Sequence, residues 1–362
     1  MKKMSTETNT IEISRITQRE LEELRRIEIE EEMQKTKMKR YWVTFRQTWP
    51  VYVMLIPVLL FFLFMRYRPI TEVLIAFKQY SPQVSTYDSQ FYGFYALKTI
   101  MFGREAAFFW RAFRNTFTLS MYGLIFGFPI PIILALMFSE IKNTKYRAVT
   151  QVLTYIPKFV STVVVTSLLG LMLMGGNGTS VGPGVLNKML QAFGVIGDQV
   201  QILSLPKYFR SIYIISDIWE GAGYGSIVYF AAIMAISPTS YEAAKIDGAN
   251  KLAQIRYVTL PGMAPTLTIT LILRIGSVLS MGYEKIMLMT ESRGTYVLQT
   301  AEVISTYVLS MGGLLNSSPT TGTSTTSYGI ATSADLFNSL ISMSLVLGAN
   351  FISRRISDSS LF

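Results

Sequence analysis

The sequence predicts an all-α membrane protein with six spanning helices and a short cytoplasmic helix-turn-helix element. Three observations carry that prediction. Half of the 362 residues are apolar and only 15% are charged, against roughly 25% in soluble domains. Apolar runs long enough to cross a bilayer recur along the chain. A polar island, Ser240–Pro261 (SYEAAKIDGANKLAQIRYVTLP), separates two of these runs and is too charged to enter hydrocarbon.

Residues 1–48 form a charged N-terminal extension. Leu21, Leu24 and Ile27 give it a thin apolar stripe, as in a solvated or membrane-skimming helix. It lacks the apolar core and cleavage site of a signal peptide. Acidic residues stop after Glu32, while Lys35, Lys37, Lys39, Arg40 and Arg46 continue. A basic flank of this kind places the N-terminus in the cytoplasm.

Residues 49–362 make up the membrane domain. Its first span is expected over about 49–65, and residues 66–112 read as an outer loop with one or two surface helices. The second span, about 115–138, carries Pro129 and Pro131, which remove backbone hydrogen bonds and kink it. Residues 139–147 are a short basic inner loop. A third span is expected over about 157–174, followed by the outer turn GGNGTSVGPG (175–184), and a fourth over about 211–235. The fifth is expected over about 264–282 and the last over about 333–352, after a low-complexity stretch at 316–327. Arg354 and Arg355 mark a cytoplasmic end, so the chain is expected to be a multi-pass protein of the cytoplasmic, or inner, membrane with both termini in the cytoplasm.

Within the polar island (239–261), Thr239 and Glu242 have the spacing of a capping box. Gly248 supplies a left-handed stop. Leu252, Ile255 and Val258 give a second amphipathic turn that Pro261 closes.

Glu242-Ala243-Ala244, three residues, Gly248, nine residues, Val258, one residue and Leu260-Pro261 resemble the EAA signature of ABC importer permeases. Val258 stands where the signature has Ile. FGFPIPIILAL (126–136), TYIPKFVSTVVV (154–165), SDIWEGAGYGSIVYFAA (216–232) and YGIATSADLFNSLI (328–341) are similar to the carbohydrate branch of the family, above all the Gram-positive lipoprotein and polysaccharide transport permeases. The resemblance implies a type I importer transmembrane domain with a cytoplasmic coupling helix. It also implies a second homologous permease, two ATPase subunits and an extracytoplasmic solute-binding protein. Glu242, Ala243, Ala244, Asp247, Gly248, Leu260 and Pro261 would then couple the chain to an ATPase subunit.

No Gly-x4-Gly-Lys-Ser/Thr phosphate loop occurs in the sequence. The expectation is therefore a non-enzymatic permease with no cofactor of its own, ATP and Mg being bound by the partner ATPase. With no Cys and no His, disulfides and His- or Cys-based catalysis are excluded. The net charge of +10 is spread over membrane flanks, which points to lipid rather than nucleic acid.

Charges inside spans are costly and point to function or pairing. Asp217, Glu220, Gly221 and Tyr224 share a helix face with Trp219 beside it. Arg274 shares a face of the fifth span with Ser277 and Met281. Acids can accept bonds from sugar hydroxyls, and aromatic rings can stack on sugars. Arg274 has two readings, a buried pair with Asp217 or Glu220, or a place on a path for an acidic or hydroxylated saccharide. The run Gly221–Gly225 reads as a close helix crossing. The functional expectation is import of an oligosaccharide or related carbohydrate. The alternatives are a non-sugar polar solute in the same transporter class, or a membrane-embedded enzyme using Asp217 and Glu220.

Overall fold

The computed structural model describes residues 39, 41–175, 183–197, 202–290, 296–314 and 327–356. The N-terminal extension before residue 39, most of the 175–184 turn and residues 316–326 lie outside them. Among the described residues the chain is helical, and its extended backbone pairing is a single bridge, Lys78 to Phe91. Compactness divides the chain at Glu72 and Val73.

In the first unit, helix α1 (Tyr41–Phe77) starts before the expected span and runs past it, ending in the second unit. A π-turn at Leu63–Tyr67 precedes Pro69, where the missing N–H interrupts regular helical bonding. The expected domain boundary at residue 48 falls within this helix.

The second unit begins with a loop pinned by Lys78, whose ammonium donates to the Thr86 and Tyr87 carbonyls at 2.8 and 2.9 Å. A short helix, α2 (Tyr95–Phe102), follows. Helix α3 (Ala106–Ile125) starts nine residues before the expected second span. Arg111, which reads as a loop residue in sequence, lies within it. Its guanidinium donates to Glu302 Oε2 at 2.7 Å, so the charge is neutralised by another segment. A turn at 126–128 leads to α4 (Pro129–Glu140), with Pro129 in the first turn, where no N–H is needed. The proline pair thus interrupts the second span as expected.

The inner loop is shorter than expected. Asn143 caps α5 (Thr144–Tyr155), its side chain accepting from Lys145 N and Tyr146 N. The basic residues Lys145 and Arg147 are therefore helical. The third span is corrected as well. α6 (Thr162–Met172) is eleven residues, only about 16 Å long, and it meets the preceding helical segment at 93°. The chain continues through α7 (Val185–Ala192) to α8 (Pro206–Met234), which begins five residues before its expected start.

The polar island folds as α9 (Pro238–Ile246) and α10 (Lys251–Gly262). α11 (Ala264–Gly276) follows after a 66° bend, and α12 (Glu284–Thr290), α13 (Leu298–Ala301) and α14 (Ile304–Met311) lead to α15 (Tyr328–Ile356). α1, the continuous stretch Ala106–Glu140 and residues 328–355 are long and apolar enough to cross a membrane individually. The other candidates are bent helix pairs.

α8 packs along α4, while α15 packs on α2, α11 and α14. Ala135, Tyr229, Ile233 and Met263 form the core beside the polar island. A second cluster joins Leu119, Phe209, Tyr213, Ile286 and Met289. A third joins Ile100, Phe109, Tyr307 and Ala334. Between the last two, Asn115 ties three segments together. It donates to the Gln299 and Glu302 carbonyls and accepts from Arg210 at 2.8 Å.

Candidate functional site: a charged intramembrane cavity and a surface helix-turn-helix

The α9–α10 element differs from the sequence expectation at its start. Ser237 is the N-cap, Pro238 opens the helix, and the Thr239 hydroxyl bonds to Ser237 Oγ at 2.6 Å. Thr239 is thus already inside the helix and forms no capping box with Glu242. The stop is as expected, because Gly248 has φ +78°. Gly248 N–H donates to Lys245 O at 3.1 Å and Ala249 N–H to Ala244 O at 2.9 Å. That bond pair is a Schellman ending. Asn250 then caps α10 through Ala253 N. Pro261 does not close the second segment, which runs through a π-turn at Ile255–Thr259 to Gly262.

The element is anchored at its flanks and open at its tip. Lys251 donates to Glu140 at the end of α4 at 2.6 Å, and the Tyr241 and Thr259 hydroxyls are 3.1 Å apart. Glu242, Ala243, Asp247 and Gly248 are exposed, Ala244 is partly covered, and Leu260 and Pro261 lie on the second limb. Ile246, Leu252 and Tyr257 expose 86%, 76% and 71% of their surface.

Farther along the bundle, a cavity of about 470 Å³ lies between α4, α8 and α11. Asp217, Glu220, Gly221, Tyr224, Arg274 and Ser277 all line it, so α8 and α11 bring together most of the sequence-selected residues. Met281 lines instead an adjoining cavity of about 210 Å³, which shares Asp217, Arg274 and Ser277 with the first. Trp219 is 52% exposed and lines neither cavity.

The charge partners differ from those considered in the sequence. Lys285 on α12 donates to Glu220 at 3.2 Å and lies 3.7 Å from Asp217. Its ammonium also sits 5.4 Å from the Tyr213 ring centroid, a cation–π distance. Lys158, in the bend before α6, reaches the other Glu220 oxygen at 3.5 Å. Arg274 takes neither acid. Among the described residues no carboxylate lies within 4 Å of its guanidinium. Gly127 leaves it room, since a Cβ there would come within 3.3 Å of the Arg274 side chain. The site therefore holds two acids satisfied by lysines and one open cation.

Lys285 and Lys158 were missed as site residues. The available signal was Lys285, immediately before the apolar run IMLM (286–289), and Lys158 beside Pro157. The glycine run behaves in two ways. A Cβ on Gly223 would overlap the Thr154 carbonyl of α5, whereas one on Gly221 would meet nothing within 4 Å. Gly223 makes the close helix crossing, and Gly221 faces the cavity.

Comparison with known proteins agrees with this architecture. Residues 127–357 match the model of the binding-protein-dependent transport system inner membrane component family. The LplB protein of Bacillus subtilis is 36% identical over 317 residues, covering 88% of this chain and 92% of its own. The polygalacturonan/rhamnogalacturonan transport system permease protein YteP of the same organism is 32% identical over 328 residues, covering 91% and 95%. A chain of a bacterial ABC transporter involved in import of the acidic polysaccharide alginate superposes with a TM-score of 0.72 at 39% identity, over 88% of this chain and 99% of that one. A chain of a bacterial alginate ABC transporter in complex with alginate pentasaccharide-bound periplasmic protein superposes with a TM-score of 0.73 at 38% identity, over 88% of this chain and 99% of that one. On this combined evidence, the chain belongs to the family of inner membrane components of binding-protein-dependent transport systems.

Proposed function

We propose that this chain is a permease subunit of an ATP-driven importer whose cargo is an oligosaccharide bearing carboxylate groups. The observation that carries the proposal is the open Arg274 guanidinium beside Asp217 and Glu220, whose two charges Lys285 and Lys158 together already offset. A fork of N–H donors recognises a uronate carboxylate in two-point fashion. Asp217 and Glu220 accept from ring hydroxyls, and Tyr224 offers a half-exposed ring for stacking. The names of the relatives support this cargo class, since alginate and polygalacturonan are both acidic polysaccharides.

The energy comes from outside the chain. α9–α10 docks on a partner ATPase subunit, with Glu242, Ala243, Ala244, Asp247, Gly248, Leu260 and Pro261 in or beside the contact. ATP and Mg are bound there, and no cofactor is held by this chain. A second homologous permease and an extracytoplasmic solute-binding protein complete the importer. In this reading both termini and α9–α10 face the cytoplasm. Movement of the ATPase subunits is transmitted through α9–α10 into α8 and α11, the two helices that carry Asp217 and Arg274. Alternating access follows where the solute site lies between spans that move in opposite senses.

Purification of the tagged chain in mild detergent, with mass spectrometry and an ATPase assay, tests the assembly. Recovery of a second permease and an ATPase whose turnover rises with loaded binding protein is expected. A chain recovered alone, unable to bind any co-encoded ATPase, contradicts it.

A further inference from the structure

A third cavity lies between α15, α14 and the segment that follows α11, and is distinct from the Asp217–Arg274 site. Its volume is about 450 Å³. α15 contributes Asp335, Asn338, Ser339 and Ser342, at spacings of three, four and seven residues that place them on one helix face. Ser305 of α14 and the segment Leu279–Met281 close the other sides.

Three of the polar atoms contributed by its lining residues are unsatisfied. Asn338 is only 8% exposed, and its amide donates to the Leu279 carbonyl at 3.0 Å. Asn338 Oδ1 is left buried without a hydrogen-bond partner, and so are the Ser305 and Ser342 hydroxyls. Orphaned oxygens in a helix bundle are costly unless an occupant satisfies them.

The chemistry selects the occupant. Among the described residues the lining offers hydroxyls, an amide oxygen and the Asp335 carboxylate, with no cationic side chain. It can accept hydrogen bonds from hydroxyls and donate through serines, but it does not suit a second carboxylate. It is also far larger than the roughly 30 Å³ share of one water, so a single small ion leaves most of it empty. Met281 lines this cavity and the 210 Å³ cavity that reaches Arg274, so the three form a series.

We propose that this cavity is a second saccharide subsite, one that holds an uncharged, hydroxyl-bearing ring of the cargo while Arg274 engages an acidic one. This rests on the carbohydrate-import reading above. Its consequence is a preference for cargo longer than one ring, with neutral and acidic units at different positions.

The chain has no cysteine, so single-cysteine variants of the assembled importer report on each cavity separately. Ser277→Cys marks the Arg274 cavity and Ser339→Cys the third one. Both are treated in nanodiscs with a small hydrophilic maleimide. The probes are a rhamnogalacturonan tetrasaccharide, whose neutral and acidic rings alternate, and galacturonic acid. The tetrasaccharide is expected to slow labelling at both positions, and the monosaccharide at Ser277→Cys alone. Asn338→Leu should raise KM for the tetrasaccharide about tenfold, the worth of one lost hydrogen bond, without affecting the monosaccharide's protection of Ser277→Cys against the maleimide. Ser342→Ala serves the same purpose should Asn338→Leu fail to assemble. Tetrasaccharide protection at Ser277→Cys alone overturns the subsite and leaves the import reading standing. So does a Ser339→Cys that stays unreactive without sugar because the second permease covers it. Protection at neither position overturns the subsite together with the carbohydrate reading on which it rests.

Discussion

Lys285 stands 3.2 Å from Glu220 across 65 positions of sequence and joins α12 to the middle of α8. Its side chain is only 10% exposed and that of Glu220 only 12%. Removing Lys285 leaves the buried Glu220 with only the more exposed Lys158 at 3.5 Å, so the loss is expected to approach the lower end of the roughly 3–5 kcal/mol that breaking a buried pair costs. Lys285→Met should therefore lower thermal stability in detergent and abolish uptake. The double variant Lys285→Met/Glu220→Gln should recover part of the stability. A single variant as stable as wild type contradicts the pairing.

Gly223 and Gly221 are two residues apart and should respond oppositely to alanine. At Gly223 the new methyl overlaps the Thr154 carbonyl, and at Gly221 it enters open space. Overpacking of this kind costs about 1–3 kcal/mol. Gly223→Ala should lower the yield of folded protein in size-exclusion chromatography, while Gly221→Ala should leave yield unchanged.

Gly248 has open space around it, so its requirement is conformational rather than steric. A β-branched residue at φ +78° is strained by about 1–2 kcal/mol. Gly248→Val should leave the protein in the membrane while reducing uptake and ATPase stimulation. Wild-type uptake would contradict a coupling role for α9–α10.

Much of this element was legible from sequence, because a glycine at a helix stop and an asparagine before the next helix act locally. Its start was not. Ser237-Pro238 and Thr239 each offer a helix opening, and the proline's fixed φ settled which was used. Span positions suffered from the same limit. Arg111 reads as a loop residue until Glu302, 191 positions away, neutralises it. Asp217, Glu220 and Arg274 could be chosen because charge in an apolar run is visible in sequence. Their partners could not, since Lys285 reaches α8 only through the fold-back of α12. The break in the third span was not read, because composition on either side of Lys158 carries no sign of a 93° turn.

Glu105, just outside α3, is 5% exposed, with one carboxylate oxygen buried and unpartnered. Burial pushes its carboxyl above the usual range, and Arg104 opposes this only in part. A raised acid holds its proton in the folded state, so its ionisation costs stability as pH rises from the ordinary carboxylate value through the folded one. Glu105→Gln should match wild type near the low end of that window and exceed its melting temperature above it. A gap that is constant with pH contradicts the assignment.

The most direct test of the central claim is uptake by the reconstituted importer, wild type against Arg274→Ala. The probes are oligogalacturonate and its methyl ester, in which the carboxylates are masked. Hydrogen bonds to a charged group contribute about 1.5–3 kcal/mol, or roughly tenfold to a hundredfold. Wild type should favour the free acid by that factor, and Arg274→Ala should erase the preference while remaining folded. Equal loss of both substrates with normal folding, or an unchanged preference, would contradict the account.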